Sequence, residues 1–66
     1  MFQIGDLVKM VALGKGIPND WAILAYEEGW AFLIVYQDHP QDEYLWGRHV
    51  TTGKDYCLYK KCCEVL

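Results

Sequence analysis

The chain has 66 residues, 53% of them apolar, with three Trp, five Tyr and two Phe, and its six Lys and Arg against nine Asp and Glu leave a net charge of −3. So short, apolar and weakly charged a chain excludes a multidomain protein and an intrinsically disordered one. Its longest apolar run, residues 30–36, falls far short of the roughly 18 residues of a membrane span.

A single domain over residues 1–66 is expected. The opening Met1-Phe2-Gln3-Ile4-Gly5-Asp6 has neither the basic flank nor the apolar stretch of a signal peptide. Cys57, Cys62 and Cys63 are odd in number and crowd the end of the chain, unlike the spread, even set of a disulfide framework. A reduced, cytoplasmic setting follows as an expectation. A domain of about 60 residues buries only about 60% of the surface its unfolded chain exposes. Ten aromatic rings cannot all be hidden in it, and exposed ring area marks a contact surface.

In chain order, Leu7 to Val11 reads as a strand with Val8 and Met10 on one face, entered through a Gly5-Asp6 turn. Residues 12–20 hold two Gly, a Pro and an Asn-Asp pair and read as a loop. Trp21 to Tyr26 and Trp30 to Gln37 are strand-like runs joined by Glu27-Glu28-Gly29, the pattern of a hairpin. Residues 38–43 are polar, interrupted by Pro40, and predict a solvated loop. Tyr44 to Val50 predicts a strand with Tyr44, Trp46 and Arg48 on one face and Leu45, Gly47 and His49 on the other. A turn over 51–54, a strand over Asp55 to Tyr59, a 3-10 turn over 60–62 and a last strand from Cys63 to Leu66 complete the reading. No window shows helical apolar spacing with caps, so no helix is expected.

Five or six short strands with regularly spaced turns indicate an all-β fold, a small five- to six-stranded barrel. Phe2-Gln3-Ile4-Gly5-Asp6-Leu7-Val8-Lys9 resembles the opening of small SH3-like barrels. Trp46-Gly47-Arg48, the Thr52-Gly53-Lys54 turn and the closing Cys63-Glu64-Val65-Leu66 resemble their finish. Many such proteins are encoded by bacteriophages, so the resemblance implies a small viral accessory protein that acts on a host factor. The Ala-Leu-Tyr-Asp-Tyr signature of proline-peptide-binding SH3 domains is missing, and that activity is not implied.

Catalytic and metal motifs are lacking. His49, Cys57, Cys62 and Cys63 contain no Cys-x2-Cys knuckle, and the cysteines are expected as small buried hydrophobes rather than metal ligands. No local signature supports a Cys-His nucleophile, and Glu27-Glu28 and Asp42-Glu43 sit in turns as solvating charges. The expectation is a protein without enzymatic activity or cofactor.

Binding is the remaining class. Tyr, Trp and Arg are enriched in interface hot spots. An inward set of Val8, Met10, Ile23, Ala25, Phe32, Ile34, Leu45 and Leu58 leaves Trp30, Tyr36, Tyr44, Trp46 and Arg48 for an outer patch, with Tyr56 and Tyr59 nearby. These seven are the candidate partner-binding residues, and a protein is the expected partner. Two other uses of the rings are open: capping the ends of the barrel, and closing a homodimer. Single-stranded nucleic acid is the alternative partner, stacked on Trp46 and Tyr56 with Arg48. Residues 44–66 carry a local charge of +2, but the whole chain is acidic, with a pI near 5.1.

Overall fold

The computed structural model describes residues 2–14, 20–37 and 43–66. The elements are β1 (Leu7–Met10), α1 (Asp20–Glu28), β2 (Ala31–Tyr36), β3 (Tyr44–His49), β4 (Asp55–Tyr59), a 3-10 turn (Lys60–Cys62) and β5 (Cys63–Val65). The predicted strands 7–11, 30–37, 44–50, 55–59 and 63–66 each appear, 55–59 at its expected bounds and the others trimmed at their ends. So does the 3-10 turn, and Gly53 takes positive φ in the β3–β4 turn as expected. The expected loops fall mainly on 15–19 and 38–42, outside the described residues.

The segment 21–26 is the main correction: it is helix, not strand, and there is no hairpin across Glu27-Glu28-Gly29. Ala22, Leu24 and Ala25 favour helix, and Asp20 places a carboxylate in the first turn, where the helix dipole welcomes it. The stop signal is Gly29, at φ 69°, followed by Trp30, whose N–H donates to the Ala25 carbonyl at 3.0 Å. That six-residue closure is the Schellman helix ending, in which the left-handed residue is normally glycine.

The five strands form one antiparallel sheet in the order β4-β3-β2-β1-β5. The all-β expectation therefore holds for the sheet, with one helix added. Among the described residues β4 and β5 are edges, so the sheet is not closed into the expected barrel. The segment that was to supply a further strand packs instead as α1 across one face. The sheet is nevertheless strongly curled. β4 and β5 lie at opposite edges yet are joined by only three residues, which reach roughly 10 Å when extended.

The covered face holds Val8, Met10, Phe32, Ile34, Leu45, Leu58 and Cys63, with Ala25 of α1 packed on them. Seven of the eight residues expected inside are buried, and Ile23 is half-buried on the helix. Each large apolar side chain buried here contributes roughly 1.5–3 kcal/mol. Gly47 completes the layer. A Cβ there would stand 2.7 Å from Leu58 Cδ1 and 2.9 Å from Phe32 Cβ, so only glycine lets β2 and β4 side chains close over β3.

Candidate aromatic face

The pleat sends alternate residues to opposite sides of a sheet, and the register decides which rings meet. Tyr36 pairs with Trp46, which pairs with Cys57. Leu33 pairs with Arg48, which pairs with Asp55, and Tyr44 pairs with Tyr59. These residues lie on the face that α1 leaves uncovered. Tyr36 is 51% exposed, Tyr44 54% and Trp46 44%. A register shift between Ile34 and Tyr36 returns Tyr36 to the outer face beside Trp46. Tyr44 and Tyr59 lean together with ring centroids 5.3 Å apart.

The seven candidate residues therefore divide. Tyr36, Tyr44, Trp46, Arg48 and Tyr59 share the outer face. Trp30 and Tyr56 do not join them, for their chain positions have the parity of the covered face. Trp30 is half-buried and stacks on His49, and Tyr56 meets Trp21 of α1 at 4.5 Å. The helix explains both: once Trp21 lies over the sheet, the inner-facing rings have a partner, and they pack together with Phe32.

The charge of Arg48 is already answered. Its Nε donates to Asp55 Oδ1 at 2.7 Å and its Nη2 to Oδ2 at 3.2 Å, a two-point pair across β3 and β4. That hydrogen bonding raises the Arg48 pKa and holds the Asp55 carboxyl below its ordinary value. The ring face thus carries a neutralised ion pair rather than a free cation.

Neither Cys57 nor Cys63 is poised for nucleophilic work. Burial pushes the Cys57 thiol up, and burial followed by the neighbouring Cys62 pushes Cys63 up to about 11. Cys62 and Cys63 are both buried and Cys57 is exposed, all three as free thiols. His49 lies on the covered face and Cys57 on the outer one. Among the described residues no three His, Cys, Asp or Glu side chains gather as a metal site, and no helix is long and apolar enough to cross a membrane.

Sequence reasoning missed a groove of about 550 Å³ that follows β4 from Leu58 and Trp21 on the covered side to Cys57 and Tyr44 on the outer side. Trp21 and Ala22 of α1, which stands where a strand was expected, form part of its wall, and the missed signal was Gly29 after two glutamates, which suits a helix ending as well as a hairpin. Comparison of the chain with protein-family models, with curated proteins and with solved structures finds no match.

Proposed function

We propose that this protein is a non-catalytic binding module that contacts another protein through the uncovered face of its sheet. The observation that carries this reading is the register itself, which sets Tyr36 and Trp46 side by side and Tyr44 beside Tyr59, with no described element over them. Large rings on a rigid sheet offer apolar area at little cost in side-chain entropy, and such residues dominate interface energetics. The strong curl of the sheet, with β1 shared between β2 and β5, supports the finer assignment to small SH3-like barrels. The reading of the chain as a bacteriophage accessory protein acting on a host factor rests on the opening and closing motifs alone.

Single-stranded nucleic acid is less well supported. Two of the three residues it called on, Arg48 and Tyr56, are respectively paired with Asp55 and packed under the helix. Affinity capture by the wild type and by Trp46→Ala, with the captured partner then purified and titrated, tests both readings. A protein partner lost with Trp46→Ala and held from about 50 to about 500 mM salt supports the proposal. A nucleic acid whose binding falls steeply with salt overturns it.

A further inference from the structure

The free side of β4 has a geometry of its own. The His49 N–H donates to the Lys54 carbonyl, and the Lys60 N–H to the Glu43 carbonyl, both at 2.8 Å. These two contacts frame the β3–β4 ladder at one phase of its register. Gly47 with Tyr56 and Leu45 with Leu58 are then the pairs that exchange hydrogen bonds. By alternation, Asp55, Cys57 and Tyr59 aim their N–H and C=O groups away from β3, and no described strand receives them. The groove borders the second half of this edge, at Cys57, Leu58 and Tyr59, with Leu13, Trp21 and Leu58 on its apolar side. Exposed lysines mark both ends, Lys54 before β4 and Lys61 after it.

We propose that the open edge of β4 is a strand-addition site, which takes an extended, apolar segment with acidic flanks from another protein. The backbone groups select an extended chain, because only a strand meets donors and acceptors repeating every second residue. β4 accommodates about five residues, roughly 17 Å of strand. An antiparallel occupant, matching every other pairing in the sheet, turns alternate side chains toward Leu58, Leu13 and Trp21. Those positions are apolar, and the flanks meeting Lys54 and Lys61 are acidic. A second copy of this chain fits worse. Pairing the whole of β4 with itself sets Lys54 of one copy against Lys60 and Lys61 of the other, and like charges directly opposite destabilise a ladder. The site adjoins the aromatic face at Tyr44 and Tyr59 but uses the β4 backbone rather than the rings of Tyr36 and Trp46, so either can fail without the other.

The probe is the acetylated, amidated peptide Glu-Glu-Val-Ser-Val-Ser-Val-Glu, titrated into isotope-labelled protein and followed by amide NMR shifts. The largest shifts are expected at Asp55, Cys57 and Tyr59. Methylating the serine amides, which face β4, lowers affinity about tenfold or more, while methylating the valine amides leaves it within about twofold. Cys57→Pro, which removes an outward N–H and keeps the ladder to β3, abolishes binding. If that variant does not fold, the two methylated peptides still decide. Equal binding by both peptides, shifts confined to Tyr36 and Trp46, or no shift at about 1 mM peptide overturns the proposal. So does a dimer by light scattering in which the three β4 amides are already protected from exchange.

Discussion

The indole of Trp30 lies flat on the imidazole of His49, with ring centroids 4.2 Å apart and planes 10° from parallel. His49 is only 5% exposed, and its Nδ1 is 3.1 Å from the Thr52 hydroxyl, so the stack ties the start of β2 to the β3–β4 turn. Trp30→Ala and His49→Ala should each destabilise the protein. Their double-mutant cycle in urea should show a coupling of about 0.5–1.5 kcal/mol. Strict additivity would reduce the contact to simple burial.

Gly47→Ala should cost about 1–3 kcal/mol, because the new methyl meets Leu58 and Phe32 inside ordinary contact distance. Urea midpoints at unchanged slope measure the loss. The double variant with Leu58→Ala should lose less than the sum of the two single losses, since Leu58 Cδ1 is the nearer obstacle.

Gly29→Ala should destabilise by about 1–2 kcal/mol, because a Cβ is unfavourable in the left-handed conformation that closes α1. In a domain of this size about 1 kcal/mol lowers Tm by about 4–8 °C. A melting curve unchanged by the substitution would argue against the Schellman ending.

The three thiols should separate by reactivity. Iodoacetamide at mildly alkaline pH should label exposed Cys57 first and reach buried Cys62 and Cys63 only on unfolding. The raised thiol also sets a sign. Cys63 stays protonated in the folded protein up to about 11, whereas the unfolded thiol ionises near 9.0. Its contribution is therefore complete below about pH 9 and is lost as pH rises toward 11. Cys63→Ala should flatten that limb of the stability profile, as judged by urea midpoints across the range.

On the outer face, Trp46→Ala should leave Tm nearly unchanged while removing partner binding, because its ring is 44% exposed and packs on no core residue of the covered face. Arg48→Ala should change stability little, since the pair with Asp55 is solvent-exposed. What stability that pair does supply is present above the ordinary aspartate range and disappears as pH falls through the lowered Asp55 pKa. Acid titration of the wild type against Arg48→Ala checks the sign.

Strand positions and faces were legible in the sequence wherever a two-residue alternation had a buried and an exposed side. β3 is the clearest instance: Leu45, Gly47 and His49 face inward, and Tyr44, Trp46 and Arg48 face outward. The turn at Gly53 and the 3-10 turn at Lys60–Cys62 were equally local. The helix was not legible, because the apolar run of residues 21–26 carries no period to distinguish it from a strand. Trp30 and Tyr56 were misplaced for the same reason, since their covering partner Trp21 was assigned to a strand.

By itself, then, the sequence determined five of the six expected strands and which of their faces are apolar, because those depend on neighbours one and two residues away. Only the tertiary structure decided that Asp20–Glu28 is a helix across one face of an unclosed sheet. It alone set Tyr36 beside Trp46, paired Arg48 with Asp55 and left the edge of β4 beside a groove. The helix has local signals that are ambiguous without its packing on the sheet, and each of the others depends on contacts between residues distant in the chain.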